Sequence, residues 1–111
     1  MKLVKHAHKN GHIYYFYCPG CGHAHSYTVG CEGVHANWTF HPEGPSFTPS
    51  LRVYTNDPKS GRGDVAHCHL HVTNGQIAFC NDCPHQLNGK TVDLPDFPEG
   101  YGLPEPYEVV L

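Results

Sequence analysis

The chain has 111 residues, a formal net charge of −3 and a hydrophobic fraction of 39%. This length suits one domain spanning residues 1–111, and the modest apolar fraction predicts a thin core that needs a further cross-link. Lys and Arg form no cluster, which argues against nucleic acid as a partner. No apolar run is long enough for a membrane span or a signal peptide, so we expect a cytoplasmic protein with no membrane partner.

The predicted elements are short strands, so the expected fold class is all-β, built mostly from antiparallel hairpins. Runs rich in aromatic and β-branched residues predict strands at 13–17, 26–29, 36–40 and 51–55. Residues 56–64 predict a polar loop, and the Pro-rich segment 94–106 predicts an extended tail over the surface. The N-terminal histidines His6, His8 and His12 are expected in a poorly ordered segment.

A β-hairpin is predicted at 67–80, where Asn74-Gly75 separates two alternating runs and is typical of a type I′ turn. The turn sets the register, so that Leu70 faces Phe79 and His69 faces Cys80. Side chains alternate between the faces of a strand, so Cys68 should share the apolar face, whereas His69 and Cys80 should lie on the other face.

A metal site is predicted from the cysteine spacing. Cys18-Pro19-Gly20-Cys21 forms a zinc-knuckle pattern, in which a tight turn directs two thiolates at one Zn²⁺ ion. The spacing of Cys80 and Cys83 repeats that pattern, as in a zinc ribbon. In a reducing compartment such pairs indicate a metal more often than a disulfide. The odd cysteine, Cys31, is expected to be a small buried hydrophobe.

The ligand set is left open by the spacing, because more candidates exist than places. Five side chains compete for the two remaining positions: Cys68, His69, Cys80, Cys83 and His85. One ion is not expected to take both Cys68 and Cys80, since they should lie on opposite faces of the hairpin. The surplus leaves room for a second ion or a reaction centre formed by four histidines: His23, His25, His69 and His85.

Several separated motifs together resemble one known family. They are 18–21, Trp38, 45–50, Cys68-His69, 82–85, 89–92 and Leu94-Pro95. This small family of unknown function is common in phages and prophages, acts in a bacterial host cell, and is often mislabelled as ammonia monooxygenase. The resemblance extends over about residues 15–95 and implies a β-rich zinc domain. Its members also resemble a peptidase-like component found beside bacterial ubiquitin-like conjugation genes, which implies processing of a ubiquitin-like protein.

The sequence departs from the family pattern at three positions. Cys80 stands where the family usually has an apolar residue, and Thr48 and Ser46 replace Ser and Thr. The resemblance therefore favours four thiolate ligands: Cys18, Cys21, Cys68 and Cys83. Cys80 would then be an additional thiol, although the CxxC spacing alone prefers it as a ligand.

Two peptidase mechanisms fit these residues. In the first, Ser50 is the nucleophile, His69 or His85 is the base, and Asp82 orients that base, while zinc only holds the scaffold. In the second, the ion keeps an open position and activates water. We favour the first mechanism, because an all-thiolate site is usually closed.

Structural roles are the alternatives for the same residues. Ser50 can cap the turn created by Pro45 and Pro49, Asp82 can accept backbone N–H bonds, and His85 can orient a metal ligand. The competing functional class is a phage-encoded zinc protein that binds a host protein without catalysis, with the aromatic run 14–17 as a contact surface.

Overall fold

The computed structural model of the chain describes residues 1–56 and 64–111. Their regular structure is entirely β, as the sequence predicts, and every strand pairing is antiparallel. The strands are β1 (Val4–His8), β2 (Gly11–Cys18), β3 (His23–Val29), β4 (Thr39–His41), β5 (Ser46–Thr48), β6 (Leu51–Asn56), β7 (Asp64–Thr73), β8 (Gln76–Phe79), β9 (Thr91–Asp93) and β10 (Glu108–Val109). Nowhere in these two ranges is there a helix that could span a membrane.

Two four-stranded sheets and one hairpin make up the fold. The first sheet has the order β10-β1-β2-β3, the second has the order β6-β7-β8-β9, and β4 pairs with β5 as a separate hairpin. Phe16 and Tyr27 of the first sheet are buried in one core with Leu70 and Ile77 of the second. Phe47 of β5 stacks on Tyr27 in the same core, with ring centroids 4.1 Å apart.

The predicted hairpin is confirmed in both turn and register. Asn74 and Gly75 have φ angles of 51° and 73°, as a type I′ turn requires. Leu70 pairs with Phe79, and the N–H of Cys80 donates to the carbonyl of His69 at 2.9 Å. Since Leu70 is fully buried and belongs to the core, the alternation places His69 on the face away from it.

The strand predicted at 36–40 is wrong for most of its length, because β4 begins only at Thr39. Asn37 explains the difference. Its side chain donates to the carbonyl of Cys31 and accepts the N–H of the same residue, at 2.9 and 3.0 Å. These bonds hold the segment as a loop next to Cys31, which is buried as the sequence predicts.

The expectation of a poorly ordered segment at His6, His8 and His12 is also wrong, since His6 and His8 lie in β1 and His12 lies in β2. Strand β1 lies between β2 and β10, and Nδ1 of His6 lies 2.8 Å from the carbonyl of Pro106. Strand β1 is held mainly by a local hairpin, because it pairs with β2 from Val4–Tyr15 to His8–Gly11 through the turn Lys9-Asn10, whereas β10 adds two residue pairs at its other edge. The tail contributes to the core through Leu94 and Phe97. Of the predicted loop at 56–64, the two ends pair with each other, and residues 57–63 lie outside the described part.

Candidate active site and metal centre

Three of the four residues predicted for catalysis are hydrogen-bonded in a row. The hydroxyl of Ser50 lies 3.2 Å from Nε2 of His69. On the other side of the ring, Nδ1 of His69 lies 2.8 Å from Oδ1 of Asp82. These distances are within the range at which a nucleophile, a base and an orienting carboxylate interact in serine hydrolases.

Different elements supply the three side chains. Ser50 lies between β5 and β6, and its carbonyl accepts the indole N–H of Trp38 at 3.1 Å. His69 belongs to β7, and Asp82 belongs to the turn that follows β8. The β7–β8 hairpin therefore carries the base and the carboxylate, while pairing of β6 with β7 brings Ser50 to the base.

Two contacts of His69 Nδ1 bear on which ring nitrogen carries the proton: Oδ1 of Asp82, an acceptor, lies 2.8 Å away, and the guanidinium of Arg52, a donor, lies 3.3 Å away. The shorter contact favours a proton on Nδ1. If Nδ1–H of His69 donates to Asp82, Nε2 has a free lone pair and accepts the proton of the Ser50 hydroxyl. The same bond from His69 lowers the pKa of Asp82, so the carboxylate stays ionised. The side chain of Asp82 is 60% exposed, whereas that of His69 is only 18% exposed.

Arg52 is a member of this site that the sequence analysis missed. Its guanidinium donates to Oδ2 of Asp82 at 3.3 Å, which is the oxygen not used by His69. Arg52 faces His69 across the β6–β7 pairing. In the sequence, Arg52 is marked only by its position two residues after Ser50. Its contact with Asp82 depends on the pairing of β6 with β7, which the local sequence does not reveal.

A cluster of thiols and one imidazole lies on the core side of β7. The ligating atoms of Cys18, Cys21, Cys68 and His85 all lie within 4.8 Å of one another. Cys83 touches the same group, with its Sγ 3.9 Å from Sγ of Cys68 and 3.2 Å from Nε2 of His85. Ligand atoms around a tetrahedral zinc lie about 3.3–3.8 Å apart, so the cluster has the size that a metal ion needs.

The charges in the cluster also fit a metal ion. A hydrogen bond from Cys68 lowers the pKa of Cys18, and the same bond raises the pKa of Cys68. Burial raises the pKa of Cys21. A first thiolate therefore opposes ionisation of its neighbours, and a bound cation is what allows several buried thiols to lose their protons together.

His85 lies in this cluster, and its nitrogens contact the thiols and the backbone. Its Nε2 lies 3.5 Å from Sγ of Cys68, and its Nδ1 accepts the N–H of Leu87 at 3.2 Å. The ring packs against the knuckle turn so closely that a Cβ added at Gly20 would overlap it. His69, not His85, is therefore the histidine in contact with Ser50.

The four histidines considered for a second ion are not brought together as one group. His23 lies beside His25 and His67. The centroid of its ring is 4.9 Å from that of His25 and 5.6 Å from that of His67. Ligating atoms of His25, His67 and Cys21 lie within 4.8 Å of one another. His69 instead contacts Ser50, and His85 contacts the thiols. The sequence did not single out His67.

The two cysteines of the second CxxC pair separate, and the hairpin register predicts only that Cys80 lies on the face opposite Cys68. Cys83 joins the thiol cluster, whereas Cys80 lies on the opposite face with His69 and Asp82. The symmetric CxxC…CxxC ribbon suggested by spacing is therefore not what the chain forms. All six cysteines are free thiols.

Comparison with known proteins gives one family. No curated protein and no solved structure matches the chain. The model of the family described as bacterial ubiquitination-like system serine protease (BubE) matches residues 1–80, a range that contains Ser50 and His69. Asp82, Cys83 and His85 follow the end of the match. Because the match covers well over half of the sequence, the chain belongs to the family of bacterial ubiquitination-like system serine proteases (BubE).

Proposed function

We propose that this chain is a serine peptidase that cleaves a ubiquitin-like protein from a precursor or a conjugate. The observation that carries the proposal is the row of hydrogen bonds from Ser50 through His69 to Asp82. A serine hydroxyl is a weak nucleophile unless an adjacent base removes its proton as it attacks. The imidazole at 3.2 Å can supply that base.

In the proposed reaction Ser50 Oγ attacks the scissile carbonyl carbon while its proton passes to Nε2 of His69. The imidazolium formed at that moment is stabilised by the carboxylate of Asp82. His69 then gives the proton to the leaving amine, and the acyl group stays on Ser50 until water, deprotonated by His69, releases it. Each step conserves the proton, and no metal takes part in it.

The proposed role of the metal is structural. Zinc suits a set of thiolates. Cys18 and Cys21 lie at the end of β2 and in the β2–β3 turn of the first sheet, whereas Cys68 lies in β7 and Cys83 in the segment between β8 and β9 of the second. An ion held by these four thiolates joins the two sheets of a thin core. We propose His85 as a donor to the thiolates, because its Nδ1 accepts the N–H of Leu87 and its Nε2 then carries a proton.

The proposed substrate class follows from the family. The family description names a protease of a bacterial ubiquitination-like system, and we propose that the step it performs is the maturation of a ubiquitin-like protein or its removal from a target. The partner is then a protein in the cytoplasm of a bacterial host. A source in a phage or prophage stays a prediction, as does the extent of the domain over residues 1–111.

The first experiment measures cleavage of a ubiquitin-like protein fused to a C-terminal reporter. We expect wild-type protein to release the reporter, and Ser50→Ala and His69→Ala to release it at least about 10³-fold more slowly. The matched controls are Ser26→Ala and His71→Ala, which remove an exposed hydroxyl from β3 and an exposed imidazole from β7. Both should cleave as the wild type does.

Two outcomes would redirect the assignment. Equal cleavage by Ser50→Ala, combined with loss of cleavage on chelation, would support metal-activated water instead. No cleavage of any fusion, together with no labelling of Ser50 by a fluorophosphonate probe, would favour a binding protein without catalysis.

A second experiment tests the metal independently of activity. Elemental analysis of protein purified without a histidine tag should give about one zinc per chain, because a closed thiolate site binds zinc tightly. Chelation should lower the midpoint of thermal unfolding. Protein that is folded but contains no metal would contradict the structural role.

A further inference from the structure

Cys80 has no part in the proposed reaction, yet it lies beside the residues that perform it. Its N–H donates to the carbonyl of His69, so the two residues face each other across the β7–β8 hairpin. Ligating atoms of His69, Cys80 and Asp82 all lie within 4.8 Å of one another. His69 and Cys80 are partly exposed and Asp82 is exposed, so an ion in solvent can reach all three.

We propose that His69, Cys80 and Asp82 form a second metal site, which binds a zinc-like divalent ion and blocks the active site while the ion is bound. The donor set is one imidazole nitrogen, one thiolate and one carboxylate, all of which are common zinc ligands. A thiolate with an imidazole selects zinc and related transition metals over magnesium or calcium. Three protein ligands leave the fourth position to water.

Inhibition follows from the proton on His69, and this part of the inference rests on the proposed function. The Nδ1 atom faces Asp82 and is the nitrogen available to the ion. When a metal binds there, the ring proton moves to Nε2, and the Cys80 thiol releases its own proton to solvent. Nε2 then has no lone pair for the Ser50 hydroxyl, so the nucleophile is not activated.

The second site should bind more weakly than the thiol cluster. It offers one thiolate instead of several, and the guanidinium of Arg52 lies 3.3 Å from both Oδ2 of Asp82 and Nδ1 of His69, so it competes with the ion for these two ligand atoms. Partial exposure of the ligands also lets water compete for them. We therefore expect an ion that exchanges with solvent, as an inhibitor must, while the buried cluster keeps its own ion.

Cobalt binding tests the site without reference to activity. The protein is first loaded with one equivalent of zinc, dialysed and then titrated with Co²⁺, whose charge-transfer absorption in the near ultraviolet reports a thiolate ligand. We expect this band in the wild type and its loss in Cys80→Ala. The control Cys31→Ala removes a buried thiol that faces the carbonyl of His12, and it should keep the band.

Zinc inhibition tests the consequence. Excess zinc should slow cleavage by the wild type, and Cys80→Ala should need at least about tenfold more zinc for the same effect, each rate being expressed relative to that variant without added zinc. If the protein cleaves no substrate, the cobalt titration still decides whether the site exists. A band that persists in Cys80→Ala and disappears in His67→Ala would place the cobalt with His25 and Cys21 and would overturn the proposal. Equal zinc sensitivity of wild type and Cys80→Ala would overturn the inhibitory role.

Discussion

Cys68 and His69 are neighbours in β7 and point to opposite faces of the second sheet. Cys68 is fully buried and contacts the thiols of Cys18 and Cys83, at 4.0 and 3.9 Å. His69 lies on the other face, in contact with Ser50. One strand thus positions both the metal cluster and the candidate base, so a metal that fixes Cys68 also fixes the backbone from which His69 projects.

Replacing Asp82 by Asn should test the role of the carboxylate charge, because the size of the side chain that contacts His69 is kept while the charge is removed. The amide keeps the size of the side chain but cannot stabilise an imidazolium, and it can favour the wrong tautomer of His69. We expect kcat to fall by about 10²–10⁴-fold with little change in KM. Asp93→Asn is the matched control, since Asp93 pairs with Gln76 on the far edge of the sheet. Equal rates for the two variants would show that Asp82 has only a structural role, as an acceptor of backbone N–H bonds in its own turn.

Arg52→Ala should have a much smaller effect than loss of Asp82. The side chains of Arg52 and Asp82 are 45% and 60% exposed, and an exposed ion pair contributes little because water and salt screen it. Cleavage should therefore slow by less than about fivefold at moderate salt. Arg52→Lys should recover most of that loss. A loss as large as that of Ser50→Ala would mean that Arg52 binds the substrate directly.

The hairpin at 67–80 shows what local sequence can predict here. Asn74-Gly75 determines the turn, the turn determines the register, and the register separates Cys68 from Cys80. Each step uses residues close together in the chain, so no knowledge of the tertiary structure is needed. The knuckle at 18–21 is predictable for the same reason.

The remaining features depend on contacts between distant segments. Arg52 reaches Asp82 only because β6 pairs with β7, and the outer edge of β1 is paired by β10 from the far end of the chain. The choice between His69 and His85 as the base was equally open in the sequence, since both fit a Ser-His-Asp set. It depends on which imidazole lies on the face toward Ser50, and that is a property of sheet packing.

Variants of His85 and Cys83 should distinguish a metal ligand from a residue that supports the ligands. If His85 donates to the thiolates, His85→Ala should weaken metal binding by about 10–100-fold and leave a four-thiolate site. Cys83→Ala removes a ligand and should weaken binding by more than that. Competition with a chelator of known affinity gives both values, and the charge-transfer intensity of the cobalt form counts the thiolates. If the cobalt form of Cys83→Ala has as many thiolate ligands as that of the wild type, His85 is the fourth ligand.

Gly20 should be required for the position of His85. A Cβ at Gly20 would overlap the imidazole, so Gly20→Ala must push the ring off the knuckle and away from Cys83. We expect metal affinity to fall by about as much as in His85→Ala, and the two changes to be non-additive when combined, because they remove the same interaction. Gly102→Ala is the control, since a Cβ there would meet no heavy atom within 4 Å. Additive losses in the double variant would show that Gly20 acts on the knuckle backbone itself, independently of His85.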